Sequence, residues 1–219
     1  MEAAEQRESA PMHGPNADKR PGSRSGGSRA PAEASSLPWL SSRQLGVIIL
    51  FCSMSVLFIA TIIGFWFTRL TSPHFRAPGL PDLPHGLLFS TGLIAFTSFA
   101  IGSAQLAVRR NRLEAVKRWL IAAGALATLF LLMQGANWVE MRPPTEAPSL
   151  YIATFFILTG VHALHVVGGF VPLGIVIHHA AQRQYSSSNH EGLSLCAQYW
   201  HYLGVVWLVL VAMLHFGNQ

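Results

Sequence analysis

Apolar residues in this chain come in long unbroken blocks. Five stretches, Leu45–Phe67, Leu83–Val108, Trp119–Val139, Leu150–Ile177 and Cys196–Phe216, run for 23, 26, 21, 28 and 21 residues without one Asp, Glu, Lys or Arg. A helix needs about 20 residues to cross the hydrocarbon core of a bilayer, so each block is long enough. Backbone groups in lipid must find partners within their own segment or in a closed barrel, and the blocks lack the two-residue alternation of barrel strands. The pattern predicts an all-α membrane protein, a bundle of five transmembrane helices occupying residues 45–219.

The connectors between blocks are 15, 10, 10 and 18 residues long, which makes successive helices antiparallel neighbours and leaves no room for an extramembrane domain. Pro73, Pro78 and Pro81, followed by Pro84 at the start of the second block, predict an irregular first connector. The second connector, Arg109–Arg118, reads as a compact basic turn. Residues 1–44 are rich in Ala, Gly, Pro and Ser, contain no apolar run, and are expected to form a disordered tail. That tail lacks the apolar core of a secretory signal. Its arginines leave a mitochondrial transit peptide as a rival reading, which Glu2, Glu5, Glu8, Asp18 and Glu33 fit poorly.

Hydrophobic residues make up 51% of the chain and charged residues 11%, which excludes an ordinary soluble domain. The net charge of +5 would suggest nucleic acid were the cations not sorted by side. Six lie before Leu45 and five in the second connector. With Arg183 in the fourth, 12 fall on one side of an alternating topology and 3 on the other. This bias predicts a cytoplasmic N-terminus and a C-terminus on the far side, and no nucleic-acid partner is needed to explain the charge.

Carboxylates and cations at membrane depth mark proton relays and charged-substrate transporters, and the blocks contain none. Walker, HExxH, GxSxG and dinucleotide-binding motifs are also absent from the sequence. Histidine is the ionisable type that does enter: His85, His162, His165, His201 and His215. Such residues either ligate haem or metal or hydrogen-bond between helices. Counted from the block ends, His165 and His201 differ in depth by about 10 Å, which argues against a haem bridging the last two helices. His85 and His215, both near the outer end, are not excluded by depth.

In the fourth block Tyr151, Phe155, Leu158, His162, His165, Gly169 and Pro172 form one stripe, with Gly160, Ala163, Gly168 and Gly174 nearby. In the fifth, His201, Val205, Leu208, Ala212 and His215 form another, with Trp200, Gly204 and Trp207 beside it. These faces are expected to pack on each other or on a partner chain, with imidazoles bonding across the contact. Cys52 and Cys196, without CxxC spacing, read as small hydrophobes.

The stretch from His162 through Leu164, His165 and Val166 to Gly168 and Gly169, followed by Asn189-His190 and then by Tyr199-Trp200-His201-Tyr202 running on to Trp207, resembles the last two helices of subunit III of the haem-copper oxidases. That family's pattern there is HxLHVxxG followed by YWHFVDxVW. Upstream, Ser53–Phe58 is similar to the family's SExxLF, and Gln134 to Trp138 to its QxxEW. The order and spacing span residues 45 to 216, and five helices rather than seven is similar to the shorter bacterial form found in cytochrome c and quinol oxidases. At three matching positions a family carboxyl is missing: Met54 and Asn137 stand for Glu, and Gly204 for Asp. None of the three can exchange a proton, so the resemblance implies a scaffold rather than a proton-handling role.

What the resemblance further implies is an accessory, non-redox subunit of a terminal oxidase in aerobic respiration. It would have no catalytic, cofactor-binding or metal-binding residue of its own, with haem and copper carried by partner subunits I and II. His162, His165, Gly168, Gly169, Tyr199, Trp200, His201 and Trp207 would serve packing, subunit contact or lipid contact. Membrane phospholipids would be held between helix groups, and the location would be the bacterial cytoplasmic membrane. Alternatives are an accessory protein of nitric oxide reductase and, from a different class, a stand-alone transporter or b-type cytochrome.

Overall fold

The computed structural model describes residues 42–73, 75, 80–142, 149–185 and 190–217. Among them are five α-helices and no strand: α1 (Ser42–Thr71), α2 (Gly86–Arg109), α3 (Leu113–Glu140), α4 (Leu150–Ala181) and α5 (Glu191–Gly217). All five are long and apolar enough to cross a membrane. The tail expected over residues 1–44 falls outside the described residues as far as 41, and α1 begins at Ser42.

The helices outrun the charge-free blocks for a physical reason. A block free of charge measures the depth of hydrocarbon, whereas a helix continues into the polar interface where Arg, Lys and Glu are soluble. Thus α3 starts at Leu113, six residues before its block, and carries Glu114, Lys117 and Arg118 in its first turns. The basic turn expected over Arg109–Arg118 is consequently only Arg110–Arg112, between α2 and α3. At α2 the shift is the other way. Pro84 cannot sit inside the helix, the Leu87 N–H bonds to its carbonyl at 3.1 Å, and the helix opens at Gly86. α4 opens where its block does, because the Ser149 hydroxyl accepts from the Ile152 N–H.

Four of the helices close into a ring: α2 packs on α3, α3 on α4, α4 on α5 and α5 back on α2. α1 stands outside this ring, touching α4 and α5 alone among the described helices. Hydrogen bonds tie the neighbours at membrane depth, and each has an aromatic or amide donor or a hydroxyl pair. The Trp207 indole N–H donates to Thr91 Oγ1 at 3.1 Å, joining α5 to α2. Trp138 donates to Thr159 Oγ1 at 3.0 Å, joining α3 to α4. Asn137 donates to Ser90 Oγ at 3.2 Å between α3 and α2, and the hydroxyls of Ser55 and Tyr202 share a 2.8 Å bond between α1 and α5.

The two ends are fastened differently. At one, Arg183 after α4 pairs with Glu114 of α3 at 2.8 Å, so the arginine turn and the end of α4 share one membrane face. At the other, Arg69 Nε donates to the Gly217 carbonyl at 2.9 Å while its guanidinium lies over the Phe75 ring. Tyr185, in the α4–α5 connector, is buried, and desolvation raises its hydroxyl pKa above the ordinary value.

α4 and α5 approach most closely at Gly169. A Cβ there would lie 2.9 Å from Tyr199 Cε1 and 3.1 Å from Trp200 Cζ2, whereas one at Gly174 would meet nothing within 4 Å. Overpacking of this kind costs about 1 to 3 kcal/mol. Gly169→Leu is therefore expected to lower the thermal denaturation midpoint of the detergent-solubilised protein, and Gly174→Leu to leave it unchanged. Equal effects of the two substitutions would remove Gly169 as the point of closest packing.

Candidate functional site

The sequence motifs converge on the centre of the ring. Phe130 of α3, His162 of α4 and Trp207 of α5 are each almost wholly buried, and their rings pack together: Phe130 to Trp207 at 4.9 Å and His162 to Trp207 at 4.9 Å between centroids. Phe130 meets the His162 ring edge-on at 5.8 Å. Through its indole N–H, Trp207 also reaches Thr91, so this α5 side chain touches all three other helices of the ring at once. Phe58 brings α1 against this cluster, 6.2 Å from the His162 ring and 5.1 Å from that of His165.

The α4 stripe is placed inward for Tyr151, Phe155, Leu158, His162 and Gly169, but His165 and Pro172 are only half-buried. Beyond His162 the buried line continues through Val166, Leu173, Val176 and Ala180. A strict alternation of 3 and 4 averages 3.5 residues per turn and drifts by about 20° per heptad on a straight helix, so an extra step of 4 is needed. Of the small residues grouped beside the stripe, an added Cβ at Gly160 or Gly174 would meet nothing within 4 Å, and one at Gly168 would lie 3.8 Å from the Tyr199 hydroxyl.

For α5 the face that packs within this chain is not the expected stripe, which leaves that stripe only its other expected role, contact with a partner chain. Val205, Leu208, Ala212 and His215 are exposed and His201 is half-buried, so their stripe points away from the ring. The buried face is Cys196, Trp200, Leu203, Gly204, Trp207 and Leu210, of which Trp200, Gly204 and Trp207 are the three that the sequence sets beside that stripe. Bulk decides the outcome, since the two tryptophans and the glycine between them interlock with α4 and α2, which five-residue bookkeeping on the histidines did not weigh.

The imidazoles do not bridge helices either. His165 Nδ1 donates to Val161 O of its own helix at 2.7 Å, while the crossing bond at that level comes from the Tyr199 hydroxyl to the His165 backbone carbonyl at 2.8 Å. Neither ring nitrogen of His162 has a hydrogen-bond partner among the described residues. The depth estimate also shifts. Gly169 meets Trp200 and His162 meets Trp207, a register that sets His201 level with Gly168, three residues or about 4.5 Å from His165. The histidines are kept apart by facing: His165 turns toward α1, His201 away from the ring, and His85 and His215 lie exposed at helix ends.

The three positions that lack a family carboxyl lie in three separate places. Met54 is buried in the wall of a groove of about 700 Å³ between α1 and the α4–α5 pair, which also includes Phe51, Leu57, His165, Cys196 and Tyr199. Asn137 is buried under the first turn of α2, where it bonds to Ser90 and to Gln134 Oε1, and a Cβ on Gly86 would overlap its Oδ1. Gly204 faces α2, where an added Cβ would stand 3.1 Å from Ser98 Oγ. A side chain at 204 would require the Ser98 hydroxyl to give way by a few tenths of an ångström. Sequence reasoning passed over Thr91, Thr159, Ser55 and Ser90, the acceptors and partners of the Trp, Asn and Tyr bonds. Their signal was a hydroxyl inside an apolar block, a common residue type there and therefore a weak one.

The model of the family described as cytochrome c oxidase subunit III matches residues 40–218, which takes in all five helices. The chain is similar to cytochrome c oxidase subunit 3 of Synechocystis sp., with 27% identity over 175 residues, 79% of this chain and 75% of that protein. It is also similar to the proteins of the same name from Artemia franciscana, 29% identical over 80% of this chain and 68% of the relative, and from Spodoptera frugiperda, 32% identical over 60% of this chain and 89% of the relative.

His162 fills space without using its nitrogens, and a buried polar group without a partner costs about 1 to 3 kcal/mol. His162→Leu, which keeps the volume, is expected to hold or raise the denaturation midpoint. His162→Ala, which leaves a cavity, is expected to lower stability by about 2 to 4 kcal/mol. A strong loss with Leu would mean that the imidazole nitrogens themselves carry stability.

Proposed function

Because the chain belongs to the cytochrome c oxidase subunit III family, we infer that it serves as the accessory, non-redox subunit of a haem-copper terminal oxidase, a multi-pass membrane protein working in a complex with the other oxidase subunits. The observation that carries this reading is the match over residues 40–218, with the two C-terminal motifs meeting at the α4–α5 contact. The relatives named above are all oxidase subunits, which does not favour a nitric oxide reductase accessory protein, a transporter or a b-type cytochrome.

The chain contributes packing rather than redox chemistry. Its partners are subunits I and II, which carry the haem and copper, and it holds no cofactor itself. The peripheral α1 and the outward face of α5, with Val205, Leu208 and Val209 exposed, offer surface to a neighbouring subunit or to lipid. The groove between α1 and the α4–α5 pair has the apolar walls that a phospholipid acyl chain needs. The membrane is the bacterial cytoplasmic membrane and the N-terminus is cytoplasmic. Support for this orientation comes from the cation asymmetry and from the Arg183–Glu114 pair, which gathers the arginines of two connectors at one end.

Affinity capture of the tagged chain from native membranes is expected to bring haem-containing subunits with it, seen as a Soret band in the eluate, while the isolated polypeptide shows none. Stoichiometric haem on the isolated polypeptide would overturn the non-redox assignment. Separately, a periplasm-active reporter fused after Gln219 should be active and a cytoplasm-active one silent. The opposite pair of results would reverse the orientation.

A further inference from the structure

The end of the bundle that carries the Arg110–Arg112 turn holds a second concavity, of about 490 Å³, unrelated to the groove beside α1. Its walls come from two places far apart in sequence. Asn111, Arg112, Glu114 and Arg118 come from the α2–α3 turn and the start of α3, and Arg183 comes from the residue pair just past α4. Three guanidiniums and one carboxylate give it a formal charge of +2.

Arg183 has φ 54°, in the left-handed region that arginine rarely adopts, and Glu114 holds its guanidinium at 2.8 Å. That bond uses part of one fork and leaves further N–H donors on it. Arg112 and Arg118, by contrast, have no ion-pair partner among the described residues. Both side chains of the Arg183–Glu114 pair are about 70% exposed, so the hollow presents three outward-facing guanidiniums, one of them shared with Glu114, and planar forks of this kind match the geometry of phosphate oxygens. Its depth is fixed by the fold, since it opens where α2 ends and α3 begins, immediately beyond the charge-free blocks, at the level of lipid headgroups.

We propose that this pocket is a binding site for the phosphate-bearing headgroup of an anionic phospholipid. Basic pockets between transmembrane helices select such headgroups, and each cation near the surface strengthens the attraction about fivefold. Exposed single arginines on the same turn would act only as a diffuse field. The hollow framed by Arg112, Arg118 and Arg183 instead predicts a bound lipid that resists washing. Glu114 acts as the tuning group, pairing with Arg183 and lowering the pocket charge by one.

The test uses the assembled oxidase in nanodiscs of phosphatidylcholine containing a minor fraction of phosphatidylglycerol, with lipid retained after detergent washing counted by mass spectrometry and assembly followed by haem content. The wild-type complex should retain phosphatidylglycerol in preference to phosphatidylcholine. Joint replacement Arg112→Gln, Arg118→Gln and Arg183→Gln should lower that preference about tenfold or more. The charge-matched set Arg109→Gln, Arg110→Gln and Lys117→Gln, which removes three cations from the same surface but not from the pocket, should lower it several-fold less than the pocket set does. Glu114→Gln should raise the preference, a gain that a folding defect cannot imitate. Equal losses in the two triple sets would overturn the site in favour of a diffuse surface charge. Displacement of the lipid by excess inorganic phosphate alone would assign the pocket to a soluble anion instead.

Discussion

Inside hydrocarbon, apolar side chains gain nothing by leaving lipid for protein, so helices that are uniformly oily have no hydrophobic reason to associate. Everything specific in this bundle answers that constraint. Association rests on close approach, at Gly169 against Tyr199 and Trp200, and on a few hydrogen bonds whose donors would otherwise be stranded in oil. Trp207 combines both. It fills the centre of the four-helix ring and spends its one polar atom on Thr91, so the ring closes only when α2 and α5 meet in register.

The same constraint explains what happened at the positions where the family carries acids. A carboxyl at membrane depth needs a partner or a function to offset its desolvation. In this chain Met54 lines an apolar groove, Gly204 faces Ser98 of α2, and Asn137 keeps hydrogen bonding with Ser90 and Gln134 without an ionisable group. None of the three residues titrates, and each sits in apolar packing or a neutral hydrogen bond. The charged residues remain at the ends, where Arg69 fastens α1 to the α5 terminus and Arg183 fastens α4 to α3.

The spans were legible in the sequence because hydrocarbon thickness imposes a minimum run free of charge, and Leu150 even marked the true start of α4. Helix ends were less so, since nothing in a charge-free block records how far a helix continues through the interface, as α3 does from Leu113. The α4 face was readable as far as His162 from its 3–4 spacing. The α5 face was not. Its histidines drew attention to a stripe that points outward, whereas the packed face is set by Trp200, Gly204 and Trp207 interlocking with neighbours that periodicity cannot name. Hydrogen-bond partners were illegible for a related reason. Thr91 lies 116 residues from Trp207, and an isolated hydroxyl in an oily run says nothing about which distant donor will find it.

The peripheral seat of α1 bears on the order in which the molecule comes together. Among the described helices it contacts α4 and α5 alone, and the hydroxyl bond from Ser55 to Tyr202 and the clamp from Arg69 to Gly217 span 147 and 148 residues of chain. α2 and α3, by contrast, are joined by three residues and can pair as soon as both have entered the bilayer. Of these five helices, the one synthesised before the other four is therefore the last to find its place. It must wait in lipid, unaccompanied, until the final helix has been threaded, and only a segment without charge across its whole membrane depth can wait there at no cost.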